Sequence, residues 1–288
     1  MEINMKVLVT GATGQLGYDV CRVLSARGIE NIGLGSKDCD ITSETEVKAL
    51  FEKERPDALI HCAAYTKVDN AEEDAERCWS VNVDGTRNLA AACREQGVKM
   101  LYISTDYVFP GDGEEYYRPE DAYGPKGNYG RTKLAGELAV QAMLEKYFIV
   151  RISWVFGING GNFVKTMLRL AENHDSLRVV ADQIGSPTYT ADLAPLLCDM
   201  IVSEKYGVYH ATNEGVCSWA DFAEAIFAAA GKQVQVQRVT TEEYGAKAAR
   251  PKNSRMSKDK LEQQGFHRLP DWQDALERYI AQLQESTL

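Results

Sequence analysis

Short apolar runs alternate with longer amphipathic stretches along the first half of the chain. Lys6–Thr10 (KVLVT) is β-branched, apolar and followed by glycine, the pattern of a strand buried on both faces. Residues 15–27 take up helical spacing and close at Gly28, and residues 29–34 return to a strand pattern. Thr42 or Ser43 is placed to cap a helix that runs to Arg55, just ahead of Pro56. Ala58–His61 predicts a third strand. Residues 71–96 are alanine-rich and predict two helices or one interrupted helix ending at Gly97. Residues 99–104 (KMLYIS) predict a fourth strand, 128–146 a helix and 148–152 a fifth strand. Repeated strand–helix units of this kind predict a Rossmann-type α/β fold, a doubly wound parallel sheet covered by helices on both faces.

The second half is less regular. Residues 162–172 predict a helix, 177–181 a strand, Thr190–Val202 a helix, 207–211 a strand and 219–230 a helix. Near the end, Trp272, Ala275, Leu276, Tyr279, Ile280 and Leu283 recur at helical spacing behind Asp271, a plausible N-cap; this stripe reads as core packing. Two loops stand apart: 110–127 is polar, acidic and rich in Gly and Pro, and 250–256 is basic and contains Pro251. No repeat or low-complexity linker divides the chain.

At 288 residues, 44% hydrophobic and 26% charged, the chain is long enough for one large domain or two modest ones. A net charge of −10 argues against a nucleic-acid partner, while leaving room for one nucleotide-sized anion in a local pocket. No apolar run approaches the roughly 18 residues of a membrane helix. The segment from Met1 to Lys6 has no signal-peptide pattern and runs into the first strand. The seven cysteines are odd in number, widely spaced and free of C-x-x-C, so neither a disulfide framework nor a zinc site is expected. With no N-x-[ST] sequon, they suit a reducing cytoplasm.

Two motifs carry the chemistry. Thr10-Gly11-Ala12-Thr13-Gly14-Gln15-Leu16-Gly17 ends a strand and opens a helix, with glycines spaced G-x-x-G-x-x-G. Small residues there let the backbone approach a pyrophosphate, and the helix N-terminus favours the anion; the alternative is a tight turn without ligand. The acidic residue that would hold the ribose 2′-hydroxyl of NAD is missing, since the second strand runs into Leu34-Gly35-Ser36-Lys37. Ser36 and Lys37 tolerate or attract a 2′-phosphate, so NADPH is expected, with NADH possible. Asp40-Ile41 is placed to meet an adenine edge, or is an ordinary turn ahead of a helix. The second motif is Tyr129-x-x-x-Lys133 at the start of a helix, where residues four apart share a face. A lysine ammonium beside a phenol would lower its pKa from about 10 and let it pass a proton to an alkoxide. The alternative is a surface pair. The preceding strand ends in Ser104-Thr105-Asp106, at the sheet edge where open α/β folds bind ligands.

Together these motifs resemble the extended short-chain dehydrogenase/reductase superfamily. Further segments resemble the dTDP-4-dehydrorhamnose reductase family within it. They are Gly14-Gln15-Leu16-Gly17, Ala63-Ala64-Tyr65-Thr66-Lys67-Val68-Asp69, Ser104-Thr105-Asp106-Tyr107-Val108-Phe109, residues 151–156 (RISWVF), residues 182–188 (DQIGSPT) and Arg250-Pro251-Lys252-Asn253-Ser254. The match covers nearly the whole chain. The resemblance implies an NAD(P)-binding domain over 1–155, joined by a helix and strand from 190–211, and a substrate-binding domain over 156–189 and 212–288. It implies that Gly11, Gly14, Gln15, Leu16 and Gly17 line the pyrophosphate, Ser36, Asp40 and Ile41 the adenosine end, and Ala63, Ala64, Tyr65 and Thr66 the ribose side. Tyr129 would donate the proton, and Lys133 would tune it and hold the nicotinamide ribose. Thr105 and Asp106 would contact the sugar near its C4 carbonyl, flanked by Val68 and Trp154; for Trp154 core packing is the rival reading.

Similar sugar-nucleotide dehydratases carry Asp-Glu after Ser-Thr. Here Tyr107 follows Asp106, which favours carbonyl reduction over elimination. Arg250, a basic residue in an acidic chain, is a candidate clamp for the substrate diphosphate, or else part of a solvated loop. Some family members form a dimer around Mg2+ held by glutamates. The matching positions are Asp19 and Ala191, so no structural metal is expected, and the chain is expected to be a monomer or weak homodimer. The implied substrate is a dTDP-linked deoxy sugar. Two other readings stay open: a non-catalytic binding subunit, like the regulatory subunit of methionine adenosyltransferase, and an epimerase or reductase of another nucleotide sugar.

Overall fold

The computed structural model describes residues 5–285. Of the N-terminal segment read as leading into the first strand, residues 1–4 lie outside the described residues. In chain order the first half contains β1 (Lys6–Thr10), α1 (Gln15–Ala26), β2 (Glu30–Leu34), α2 (Glu44–Glu54), β3 (Ala58–His61), α3 (Ala75–Trp79), α4 (Thr86–Gln96), β4 (Lys99–Thr105), α5 (Asn128–Met143) and β5 (Tyr147–Ile152). The second half contains β6 (Val155–Phe156), α6 (Phe163–Leu170), β7 (Ser176–Val180), β8 (Ile184–Gly185), β9 (Thr188–Tyr189), α7 (Thr190–Val202) and β10 (Gly207–His210). β11 (Cys217–Ser218), α8 (Trp219–Ala229), β12 (Gln235–Val239), α9 (Thr241–Tyr244), α10 (Asp259–Gln263) and α11 (Trp272–Glu285) complete it.

Local chemistry sets the boundaries. Of the two candidate caps before α2, Ser43 is used: its hydroxyl accepts from Glu46 N. α4 stops at Gly97, which takes a left-handed φ of 70°. The alanine-rich stretch before it is interrupted, as its length suggests, by a widened turn over 80–85. Buried Asn82 sits in that turn and exchanges hydrogen bonds with the Tyr65 backbone, accepting from its N–H at 2.8 Å and donating to its carbonyl at 3.2 Å. Asp271 accepts from Gln273 N at 2.8 Å at the head of α11, the expected capping position.

Six strands form one parallel sheet in the order β10-β5-β4-β3-β1-β2. Strand alternation divides its two faces. Val7 and Val9 pack with Val20 and Leu24 of α1 and Leu193 and Leu197 of α7 on one side. Leu8 packs with Phe51, Leu89 and Val140 on the other. A third cluster holds Phe156, Phe222, Ile226, Trp272, Leu276 and Tyr279, where the C-terminal stripe buries itself. Arg151 and Glu137, both wholly buried, form a two-point ion pair at 2.9 and 2.8 Å; Arg151 also donates to Pro119 O, pinning the 110–127 loop to the sheet. β12, which pairs with β7 in parallel, and the two-residue pairs β6–β9 and β8–β11 were not anticipated. Among the described residues no helix is long and apolar enough to cross a membrane.

Candidate active site

The strand order reverses at β1 and β3, and the crevice this leaves at their carboxyl ends is where open α/β sheets take ligands. Gly11 turns there with φ of 70°; a Cβ on it would lie 2.7 Å from Ala63 N, just past β3. A Cβ on Gly17 would overlap the Gly11 carbonyl. The loop is therefore as tight as a backbone allows, and only glycine fits. At the head of α1 the N-cap is Gly14, no side chain caps it and its first turn holds no acid, so the helix end is left for an external anion. Asn159 and Asn162, after β6, reach back onto this loop. Asn159 donates to Thr13 O at 2.8 Å and Gly14 O at 3.2 Å, and Asn162 donates to Gln15 Oε1 at 3.0 Å.

A cleft of about 690 Å³ runs from this loop across the sheet edge. Gly11, Gly14, Gln15, Leu16 and Gly17 form its floor; Ser36, Asp40 and Ile41 line one end, and Ala63, Ala64, Thr66 and Val68 line one wall. Thr105, Asp106, Tyr129, Lys133 and Trp154 line the other end. Two expected residues do not form its wall. Tyr65 is held by Asn82 through its backbone and reaches toward Asp74. Arg250 donates to Asp69 at 2.7 Å, while its second terminal nitrogen is buried without a partner. Lys37 is exposed outside the wall; the cation that lines the cleft near Asp40 is Arg77. The Asp40 carboxyl opposite is held low first by the Thr42 bonds and secondarily by the Arg77 charge. Arg77, Asn162 and Trp219 converge on the cleft from distant segments and carry no local motif.

The Tyr129–Lys133 pair is electrostatically different from what its spacing suggests. Lys133 is buried, donates to Ile103 O at 2.7 Å and stands 4.1 Å over the Tyr102 ring. Burial lowers its pKa to about 7, against an upward pull from Glu137. Burial raises the Tyr129 phenol above its usual range, with a smaller opposing pull from the Thr105 hydroxyl. Desolvation, and not the Lys133 charge inferred from the four-residue spacing, sets the direction of the Tyr129 shift. Tyr129 thus rests as a protonated phenol, the form a proton donor needs.

Asp106 lies beside them, buried. Thr105 Oγ1 donates to its Oδ1 at 2.9 Å and Ser254 Oγ to its Oδ2 at 2.6 Å. Burial lifts its pKa to about 6 against these bonds. Trp154 has φ of 51°, a backbone strained for a bulky residue. Its ring stacks on Trp219 at 3.8 Å, and a Cβ on Gly185 would lie 2.9 Å from its Cε2. Trp154 therefore both packs and lines the cleft. Asp19 is buried and accepts from Thr190 Oγ1 at 2.6 Å, so its carboxylate is engaged within the chain.

A parallel sheet with a glycine-loop crevice, closed by Thr, Tyr and Lys, defines the class: an NAD(P)-binding, extended short-chain dehydrogenase/reductase. The sequence model described as RmlD substrate binding domain matches residues 5–285, and the chain belongs to that family, the dTDP-4-dehydrorhamnose reductases. It is 43% identical over 275 residues to the spore coat polysaccharide biosynthesis protein SpsK of Bacillus subtilis, covering 96% of each chain. It is 42% identical to the dTDP-4-dehydrorhamnose reductase of Aggregatibacter actinomycetemcomitans, covering 96% of this chain and 98% of that one. Among solved structures, dTDP-4-dehydrorhamnose reductase from Bacillus anthracis in complex with NADP superposes with a TM-score of 0.95 at 45% identity, covering 97% of this chain and all of that one.

Proposed function

We propose that this chain reduces the C4 carbonyl of dTDP-4-dehydro-6-deoxy-L-mannose, giving dTDP-L-rhamnose, the last step of dTDP-L-rhamnose biosynthesis. The observation that carries this reading is the cluster of Thr105, Tyr129 and Lys133 at one end of the cleft, with Tyr107 where a dehydratase keeps its glutamate. When bound, NADPH supplies the hydride. The uncapped head of α1 and the Gly11–Gly17 turn fit its pyrophosphate, and Ser36 lines the cleft at the end of β2, where the Asp38 carboxylate is engaged by the Gly35 N–H at 2.7 Å, to accommodate a 2′-phosphate. Ile41 and Asp40 meet the adenine end, and Ala63, Ala64 and Thr66 the ribose side.

Tyr129, protonated at rest, gives its proton to the oxygen that develops charge at C4. Thr105 and Asp106 orient that oxygen. Lys133 is placed to hold the nicotinamide ribose. Val68 and the edge of Trp154 bound the sugar, and Arg250, with one nitrogen unspent, serves the diphosphate. Residues 1–155 with 190–211 act as the cofactor half, and 156–189 with 212–288 as the substrate half, supported by the separate core around Phe222 and Trp272. The chain works as a monomer or weak homodimer. Its seven unpaired thiols suit the cytoplasm.

Purified protein given the keto-sugar nucleotide and NADPH is expected to bleach the nicotinamide absorbance band and yield a 6-deoxy-hexose nucleotide. Tyr129→Phe is expected to lose roughly 10²- to 10⁴-fold in kcat while still binding NADPH. No oxidation by the wild type, or near-normal turnover by the variant, would overturn the assignment.

A further inference from the structure

α5 carries the Lys133 ammonium into a place that solvent does not reach, where a charge persists only on good contacts. We propose that Tyr102 of β4 is the positioning residue for Lys133: the face of its ring seats the ammonium, keeps it charged and holds it at the cleft wall. The inference rests on the reduction proposed above, in which Lys133 meets the nicotinamide ribose.

The geometry carries it. Lys133 Nζ lies 4.1 Å from the centre of the Tyr102 ring, well within the reach of a cation–π contact. Of its three donors, one goes to Ile103 O at 2.7 Å. Among the described residues no carboxylate forms an ion pair with it. The other ionisable groups around it are neutral or already engaged. On α5, Tyr129 is a protonated phenol, and the two oxygens of Glu137 are taken by Arg151 at 2.9 and 2.8 Å. At the end of β3, His61 is bonded to Thr10 and Thr86, and burial lowers its pKa to about 3, so it is uncharged. Burial raises the thiols of Cys62, just past β3, and Cys78 on α3, so both keep their protons. The ring face and the Ile103 carbonyl are thus the negative surfaces that this site offers the ammonium. Burial brings Lys133 to about 7, so near neutrality a modest stabilisation decides whether it is charged.

The surroundings fix the ring for this one residue. Tyr102 is wholly buried, and its hydroxyl donates to the Lys133 carbonyl at 3.3 Å. The same tyrosine therefore holds the lysine at both ends, the backbone through its hydroxyl and the ammonium through its ring. The His61 ring packs against it with centroids 5.5 Å apart. α5 makes room for it: a Cβ on Gly136 would overlap the Tyr102 hydroxyl. Glycine is unfavourable inside a helix, and this contact accounts for it here. Packing alone asks for none of this. The preceding buried positions of β4 are filled by Met100 and Leu101, and such a side chain at 102 would leave α5 free to carry a larger residue at 136.

The test is an NMR titration of the protein labelled with ¹³C at lysine Cε, without ligands, the Lys133 signal being assigned by its loss in Lys133→Met. Tyr102→Phe keeps the ring face and should keep the wild-type midpoint. Tyr102→Leu should titrate about 1 pH unit lower. A trifluorinated phenylalanine placed at 102 by nonsense suppression keeps the shape of phenylalanine and loses the negative ring face. It should titrate about 1 unit below Tyr102→Phe, and it decides the matter if the leucine variant does not fold. NADPH binding should follow: relative to wild type, Tyr102→Leu should bind about tenfold more weakly at about pH 8 and converge below about pH 6. A Tyr102 that only fills space would act otherwise. Its truncation would admit water and raise the Lys133 midpoint, and fluorination would change nothing. Equal midpoints for the plain and fluorinated rings, or a binding deficit that is the same at every pH, would overturn the proposal while the reductase reading stands. Absence of wild-type turnover at every pH would instead remove the reductase reading, with the titrations still reporting on Tyr102 and Lys133.

Discussion

Lys133 brings an ammonium into a place that solvent does not reach, and the molecule bears the consequence in stability. Its pKa falls from 10.5 to about 7 on folding, driven by burial. Between those values the unfolded chain binds a proton that the folded chain lacks, so stability from this site rises as pH climbs through the window. Below about pH 7 both states are charged and the burial cost is felt in full. Lys133→Met is therefore expected to raise the melting temperature of the free protein at about pH 6 by several degrees, read by calorimetry, and to abolish turnover. A lower melting temperature would mean that the bond to Ile103 O outweighs the burial cost. The Tyr–Lys spacing made the pair legible in the sequence. Its electrostatics were not legible, because how much water a side chain keeps is a property of the packed neighbours. Trp219 and Asn162 escaped for a related reason: each is an ordinary core or capping residue until the chain folds it onto the cleft.

Among the elements, the legible ones bury apolar side chains with a period. β1, β3, β4 and β5 are continuous apolar runs, and α11 is a clear stripe. The two-residue strands β6, β8, β9 and β11 are too short for any period to register. β12 reads QVQRV, stays largely exposed and gains its place only by pairing with β7. The turn between β1 and α1 is where element geometry is least forgiving. A methyl on Gly17 would meet backbone, the Gly11 carbonyl and Ala12 Cα, and neither moves without shifting the strand end. Gly17→Ala is expected to cost about 1–3 kcal/mol in urea unfolding and to weaken NADPH binding. Wild-type values for both would show that the loop relaxes more freely than its contacts imply.

For the whole molecule, segments distant in the chain hold the glycine loop in place. Asn159, after β6, has its amide fastened to the Thr13 and Gly14 carbonyls of that loop. Its own side chain is exposed enough that folding does not depend on it. Asn159→Ala is expected to raise the NADPH Kd roughly tenfold, about 1.4 kcal/mol, with little change in melting temperature, measured by fluorescence titration and calorimetry. An unchanged Kd would show the loop to be held without it. The edge strand β10 has a consequence of another kind. It pairs with β5, and the helix before it, α7, supplies Leu193, Ala194, Leu197 and Ile201 to the core beneath the sheet. Both are encoded after β7, β8 and β9. On the ribosome, the interval between the emergence of Ile152 and His210 lasts roughly 3 to 12 s at ordinary synthesis rates. Through that time β5 offers a bare edge and an apolar face with no cover. The nascent chain, before the finished enzyme exists, is thus the form of this molecule most in need of a chaperone.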